Sequence, residues 1–117
     1  MIDILNYING SFQPAVGGAW LPNHEPATGL VYSRLPDSQA ADVEAAIAAA
    51  ETAFPAWSAL PATERAAIME RVADLLESRL EEFARAESRD QGKPVALARR
   101  MDITRAVDNF RFFASAI

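Results

Sequence analysis

The spacing of apolar residues along the chain changes near residue 37, from a pattern typical of strands to one typical of helices. Residues 6–36 contain most of the glycines and prolines, together with strand-forming residues. Three turn signals separate the short apolar runs: Asn9-Gly10, Gly17-Gly18 and residues 26–29. We therefore predict three or four short strands in residues 6–36. They should form an antiparallel β-ribbon, which needs another element to pack against.

From residue 37 onwards, apolar residues recur every three or four positions, which predicts amphipathic helices. The first predicted helix is capped by Asp37 or Ser38 and ends at or just before Pro55. Its apolar stripe comprises Val43, Ile47, Ala50, Phe54 and Trp57. The second predicted helix extends from Thr63 to Asp90. Its apolar stripe comprises Ile68, Val72, Leu75, Leu76, Leu80 and Phe83.

A glycine and a proline mark the boundary between the second and third predicted helices. Gly92 should end the second helix, because glycine tolerates a positive φ, and Pro94 should open the third. The third stripe comprises Leu97, Met101, Thr104, Val107, Phe110 and Phe113. It continues to Ile117 without a capping residue, which favours a chain cut from a longer protein. The predicted fold class is an α+β fragment, with a β-ribbon at residues 6–36 and three amphipathic helices at 37–117.

Composition and charge narrow the possible partners. Apolar residues make up half of the chain, but 24 of them are alanine, so large side chains should supply the core: Trp20, Phe54, Trp57, Phe83, Phe110 and Phe113. The net charge of −5 argues against nucleic acid, which requires a basic face. No apolar run approaches the roughly 20 residues that span a bilayer. An acidic residue also lies where a signal peptide carries basic ones. We therefore expect a cytoplasmic protein without a membrane partner.

The residue types present offer little catalytic chemistry. The chain has no cysteine, which removes thiolate nucleophiles, thiolate metal sites and disulfides. His24 lacks an accompanying G-x-S-x-G motif and is interpreted as a loop residue without a role. The acidic and basic clusters are interpreted as solvated helix faces, in which Glu81 pairs with Arg85 one helical turn later. The acidic cluster comprises Glu77, Glu81 and Glu82. The basic cluster comprises Lys93, Arg99, Arg100, Arg105 and Arg111, which alternate with Asp102 and Asp108. No catalytic or cofactor-binding residue is predicted.

Four short motifs follow one another along the chain: Y-I-N-G at 7–10, P-A-T-G at 26–29, A-F-P-A-W at 53–57 and E-S-R-D-Q-G-K-P at 87–94. Their order and spacing resemble the N-terminal segment of aldehyde dehydrogenases, over residues 6–117. Residues 102–114 of the third predicted helix, together with residues 85–93 before it, resemble the branch of that family that acts on 2-aminomuconic and 2-hydroxymuconic semialdehydes. One departure is Glu25, where the family usually has an asparagine that bonds to the turn.

The resemblance implies a fold and a chemistry for the parent protein. Residues 1–117 would form the N-terminal part of a Rossmann-type cofactor-binding domain and pack on its sheet. The enzyme would oxidise an aldehyde with NAD or NADP, and this chain alone would not bind the cofactor. A cysteine nucleophile, a glutamate base and an asparagine for the oxyanion would lie beyond residue 117. Family members also hold a monovalent cation with backbone carbonyls, and the matching positions are Asn23, His24 and Asp90.

Two other interpretations stay open on the residues alone. The chain could be a self-standing, non-catalytic helical module for interaction or oligomerisation, or a fragment with no function of its own. The expected partner is either the remainder of the dehydrogenase chain or a second copy, and we expect a homo-oligomer. The sequence does not determine the aldehyde substrate or the choice between NAD and NADP.

Overall fold

Five short strands and one helix form the first half of the chain, and five helical segments form the second. The computed structural model describes residues 1–117 as two compact units, Met1–Ala59 and Leu60–Ile117. The first contains β1 (Ile2–Asp3), β2 (Asn6–Ile8), β3 (Ser11–Gln13), β4 (Trp20–His24), β5 (Val31–Pro36) and α1 (Ala40–Ala59). The second contains α2 (Ala62–Ser78), α3 (Leu80–Gln91), α4 (Val95–Leu97), a π-helical turn (Ala98–Ile103) and α5 (Thr104–Ala116). The α+β fold class is confirmed.

The strands form two small sheets rather than one ribbon. β2 and β3 pair antiparallel through a two-residue turn at Asn9 and Gly10, whose φ angles are 51° and 78°, as the Asn-Gly signal predicts. β4 and β5 also pair antiparallel. The strand β1 lies outside the predicted range and pairs parallel with β5, giving a mixed sheet of order β1-β5-β4. A two-residue strand has too little pattern of its own to be recognised in the sequence.

Helix α1 begins later and ends later than the apolar pattern predicts. Its first helical residue is Ala40, so neither Asp37 nor Ser38 is the cap. Instead the Asp42 carboxylate accepts a hydrogen bond from the Gln39 N–H, at 2.9 Å, in the manner of a capping box. The helix also continues past Pro55 to Ala59. This half of α1 is exposed, so water can bond the carbonyl that proline leaves without a donor.

The second predicted helix is two helices, because the backbone leaves helical geometry at Arg79. Its φ and ψ are −113° and 23°. The Arg79 N–H is shared between the carbonyls of Leu75 and Leu76, and the Arg79 carbonyl accepts the N–H of Phe83 to start α3. Neither a glycine nor a proline marks this break. At the other end of α3, Gly92 has a φ of 78° and its N–H bonds to the Ser88 carbonyl, which confirms the predicted helix end.

The third predicted helix is interrupted by the π-helical turn, which changes the set of buried residues. Met101 is 51% exposed and Thr104 is also exposed, although both belong to the predicted stripe. Ile103, which lies outside that stripe, is buried, and so is Val107. A π turn contains more residues than an α turn. A stripe extrapolated at 3.6 residues per turn therefore loses its phase across residues 98–103.

The core consists mainly of small residues, in contrast to the predicted core of large ones. None of the six large residues expected inside is buried: Phe54, Trp57, Phe110 and Phe113 are exposed, and Trp20 and Phe83 are half-buried. The buried apolar residues are Ala15, Ala73, Ala84, Ala98, Ile103, Val107 and Ala114. Alanine lets helix backbones approach closely, and its burial is not visible in a pattern that weights residues by size. The four exposed members of the predicted core lie on α1 and α5.

Candidate functional site

Asn23 and His24, two of the three predicted cation ligands, lie at the end of β4, where the pairing with β5 is irregular. Asn23 is paired with Ser33 and His24 with Val31, so that Tyr32 is an extra residue on β5. Such a bulge bends the strand and disturbs the regular direction of its backbone groups. The Asn23 Nδ2 donates to Ser33 Oγ and to Tyr32 Oη, both at 3.1 Å. Ser33 is fully buried, so the hydrogen bond from the Asn23 amide links the end of β4 to a buried side chain of β5.

The turn that follows β4 is closed by the backbone. The Glu25 carbonyl accepts hydrogen bonds from the N–H groups of Thr28, at 3.2 Å, and Gly29, at 2.8 Å, while the Glu25 N–H donates to the Leu30 carbonyl at 2.9 Å. Gly29 has a φ of 71°, which glycine adopts without strain. Glutamate in place of the family's asparagine is therefore compatible with this turn, because backbone groups close it.

Asp90, the third predicted ligand, lies in the last turn of α3. Carbonyls in the last turn of a helix lack intrahelical donors and carry the negative end of the helix dipole. Gly92 then turns the chain away from the helix axis, and the Ser88 hydroxyl donates to the Lys93 carbonyl at 2.6 Å. A carbonyl at this position suits a hard cation, which prefers oxygen ligands.

The three predicted ligands are distributed over both units, since Asn23 and His24 belong to the first and Asp90 to the second. No group of three or more His, Cys, Asp or Glu side chains is arranged to hold a metal ion, but the predicted site uses backbone carbonyls. The donor type fits a monovalent cation at each position. The cation site stays a prediction.

Lys93, three residues after Asp90, forms an ion-pair cluster and is half-buried, which corrects its assignment to a solvated face. Lys93 Nζ lies 3.0 Å from Glu87 Oε1 and 3.0 Å from Asp102 Oδ2. Hydrogen bonds to Asp102 and then to Glu87 raise the pKa of Lys93 above its usual value. Glu87 and Lys93 are both part of the E-S-R-D-Q-G-K-P motif, so the motif itself was the available signal. The cluster ties the loop after α3 to the π-helical turn.

Two arginines of the predicted solvated face form cross-helix ion pairs. Arg111 on α5 donates to Glu77 Oε2 at 2.7 Å and to Asp74 Oδ1 at 3.1 Å, both on α2. The Arg111 hydrogen bond lowers the pKa of Glu77. Arg99 forms a bidentate pair with Glu81 of α3. Glu77 and Glu81 stay exposed, as a solvated face predicts, and these cross-helix contacts add to that interpretation. The predicted Glu81–Arg85 pair is also present, at 3.9 Å.

Several exposed apolar residues form continuous surfaces in each unit. On α1, the stripe of Val43, Ile47, Phe54 and Trp57 is exposed along its whole length. In the second unit, Met69, Asn109, Phe110 and Phe113 line a groove between α2 and α5. Apolar patches of this kind commonly mark surfaces that bind other protein. No helix of the chain is long and apolar enough to cross a membrane.

Comparisons with known proteins give one consistent result. The model of the aldehyde dehydrogenase family matches residues 13–117. The chain is 53% identical to the 2-aminomuconic semialdehyde dehydrogenase of Homo sapiens, over 95% of the chain and 22% of that protein. Among solved structures, PnpE from Pseudomonas sp. WBC-3 is 40% identical with a TM-score of 0.94, over 99% of this chain and 24% of that one.

A second solved structure is a complex with NAD. The aldehyde dehydrogenase from Bacillus cereus bound to NAD⁺ is 37% identical to this chain with a TM-score of 0.93, over 97% of this chain and 23% of its own. The chain thus spans about a quarter or less of the length of each relative described here.

Proposed function

This chain belongs to the aldehyde dehydrogenase family, and we propose that it is the N-terminal segment of an enzyme that oxidises a muconic-type semialdehyde to a carboxylate. The observation that carries the proposal is the similarity to 2-aminomuconic semialdehyde dehydrogenases over nearly the whole chain. NAD is the proposed hydride acceptor, in line with the NAD complexes among the solved relatives. The enzyme is proposed to act in the cytoplasm as a homo-oligomer.

The segment's own contribution to that enzyme is structural. Catalysis in the family uses a cysteine thiolate, and these 117 residues contain no cysteine. We propose instead that the packed helices of the second unit and the two sheets of the first unit form part of the cofactor-binding domain. We therefore propose that the isolated 117-residue chain is inactive. NADH formation from an aldehyde by the pure chain, above that of a mock purification, would contradict this.

The substrate class is tested by measuring specificity constants of the complete enzyme. A carboxylate at the far end of the semialdehyde requires a cationic partner, and charge-assisted hydrogen bonds of that kind correspond to roughly a 10- to 100-fold preference. We expect kcat/KM for 2-aminomuconic or 2-hydroxymuconic semialdehyde to exceed that for a neutral aldehyde of the same length by at least about 10-fold. Equal values would refute the substrate proposal and leave the family assignment intact.

Cation binding by the backbone carbonyls of Asn23, His24 and Asp90 is part of the same proposal. A ligand that binds only the folded state raises the unfolding midpoint as its concentration increases. We expect the complete enzyme to unfold at a higher temperature in sodium or potassium chloride than in tetramethylammonium chloride of equal ionic strength. Identical midpoints in all three salts would contradict the site.

The exposed groove between α2 and α5 favours a second candidate function, that of a non-catalytic self-associating module. Phe113 is 55% exposed and Phe110 is 37% exposed, and a symmetric dimer could cover both. Sedimentation velocity on the isolated chain tests this, with Phe113→Ser expected to shift the distribution towards monomer. Val16→Ser, at a residue 80% exposed in the first unit, is the control. A monomer at all concentrations removes this candidate.

A further inference from the structure

The π-helical turn at Ala98–Ile103 lets two residues five positions apart face the same helix. Ala98 and Ile103 both pack against Ala84 of α3, with Leu80, Phe83 and Val95 around them. In an α-helix each residue advances by about 100°, so positions five apart differ by roughly 140° and cannot share one face. The wider π turn brings Ile103 back to the side that Ala98 occupies.

Beyond the turn, the same helix packs against a different neighbour. Val107 and Ala114 of α5 are buried, α5 packs along α2, and Arg111 pairs with Asp74 and Glu77 there. The segment from Val95 to Ala116 thus faces α3 with its first part and α2 with its second. The extra residue in the π turn adjusts the phase between these two contacts.

Polar contacts hold both edges of the turn. Thr104 Oγ1 donates to the Arg99 carbonyl, five residues earlier, at 3.0 Å. Asp102 pairs with Lys93 at 3.0 Å, and Arg99 pairs with Glu81 of α3. We refer to Arg99, Asp102 and Thr104 as the latch, because their contacts join the turn to its own start, to α3 and to the loop after α3.

We propose that this π turn is a register hinge. The turn contains one residue more than an α-helical turn would. The latch keeps this extra residue at the junction between the part of the helix that faces α3 and the part that faces α2. When the latch is released, the extra residue can move along the helix and turn the face of α5 by about 100°. The orientation of α5 is then controlled by three polar contacts at a distance from its interface with α2. This hinge is independent of the proposed enzymatic function.

Single-residue deletions test the hinge in the 117-residue chain. Deletion of Met101, which is 51% exposed within the turn, should convert the segment to a continuous α-helix with both contacts retained. We expect its melting midpoint to stay within about 2 °C of the parent. Deletion of the exposed Asp108 in α5 should rotate Ala114 and Arg111 away from α2. It should lower the midpoint by at least about 8 °C or prevent folding. A Met101 deletion that fails to fold, or costs as much as the Asp108 deletion, overturns the proposal.

Hydrogen exchange tests the latch separately. Thr104→Val removes the hydroxyl donor with little change in shape, and we expect amides 98–104 to exchange about 5-fold faster, with Thr104→Ser restoring protection. Ser115→Ala is the matched control, because the Ser115 hydroxyl also bonds a carbonyl of its own helix, that of Phe112 at 2.7 Å. It should leave amides 98–104 unchanged. Equal exchange in Thr104→Val and the parent would show that the hydroxyl is no latch.

Discussion

The two units of the chain are nearly equal in length, yet different interactions stabilise them. In Met1–Ala59 the buried residues are Ala15, Ser33 and Asp42, two of which are polar and act through hydrogen bonds. In Leu60–Ile117 every buried residue is apolar: Ala73, Ala84, Ala98, Ile103, Val107 and Ala114. Hydrogen bonds to buried polar groups therefore define the first unit, whereas close helix packing defines the second. An amphipathic sequence pattern alone does not distinguish these two situations.

The two units also differ in their balance of acidic and basic residues. Residues 1–59 contain a single basic residue, Arg34, against six acidic ones, whereas acids and bases balance in residues 60–117. The net charge of −5 thus belongs to the first unit. Arg34 pairs with Asp3 at 2.6 Å and its guanidinium lies over the Trp20 ring. In the second unit, arginines such as Arg111 join neighbouring helices.

The largest expected effect comes from placing a charge at matched valines of the two units. Val107 is 3% exposed and Val43 on α1 is 53% exposed. Val107→Asp buries an unpaired carboxylate and should lower the free energy of unfolding by about 3 kcal/mol or more, whereas Val43→Asp should change it by less than about 0.5 kcal/mol. Urea unfolding followed by circular dichroism measures both. Equal losses would mean that α1 is packed as tightly as α5.

The next effect concerns the backbone at the end of α3. Gly92 has a φ of 78°, a region that β-branched residues avoid. Gly92→Val should cost about 2 kcal/mol and Gly92→Ala about 1 kcal/mol of unfolding free energy. Gly17→Ala in the first unit is the control, since Gly17 has no positive φ and nothing within 4 Å of an added Cβ. If Gly92→Val unfolds at the same urea concentration as the parent, the predicted backbone strain at residue 92 is absent.

Asp42 should be the most sensitive carboxylate of the first unit. It accepts the N–H of Gln39 at 2.9 Å and of Val16 at 2.8 Å, so Asp42→Ala leaves both donors without this partner. We expect the melting midpoint to fall by about 5 °C, the size of a lost helix cap. Glu44→Ala, on the same helix and exposed, should have no measurable effect. A similar fall in both variants would point to helix propensity instead.

The Asp42 carboxylate should also make the stability of the fold depend on pH, with stability lost towards acidic pH. Hydrogen bonds from Gln39 and then Val16 lower the pKa of Asp42. Its contribution to stability is therefore complete above the unfolded-state pKa of about 3.9. It is lost as the pH falls through the lower folded-state pKa. The free energy of unfolding of the parent minus that of Asp42→Ala should become smaller in that acidic range and stay constant between about pH 5 and 8. Urea unfolding at a series of pH values measures this difference.

The smallest effect is expected for the exposed ion pairs of the second unit. Arg111 lowers the pKa of Glu77, so this pair stabilises the fold at neutral pH and ceases to do so as Glu77 becomes protonated. Glu77→Gln should lower the midpoint at pH 7 by no more than about 2 °C, and 0.5 M salt should remove the difference. Glu64→Gln, at an exposed carboxylate of the same helix, should match the parent at both salt concentrations.

The candidate cation site shows which parts of a site can be predicted from local sequence. Asn23, His24 and Asp90 were predicted from the family resemblance, and the cation site stays a prediction. In the structure, Asn23 and His24 lie at a strand bulge and Asp90 lies in the last turn of a helix. The pairing of Lys93 with Asp102 could not be predicted, because Asp102 lies nine residues later, within a π turn whose phase the sequence does not reveal. Partners of that kind depend on where helices cross.

The sequence by itself determined the turns and the helix end that depend on one or two residues. Asn9-Gly10 closes the β2–β3 hairpin and Gly92 ends α3, because a positive φ is a property of the residue in its own backbone. Only the tertiary structure decided the break at Arg79, the π turn at Ala98–Ile103 and the choice of buried residues. These features arise where one helix must pack against two neighbours. The free energy of that packing is set by residues far apart in the chain and exceeds local helical preference.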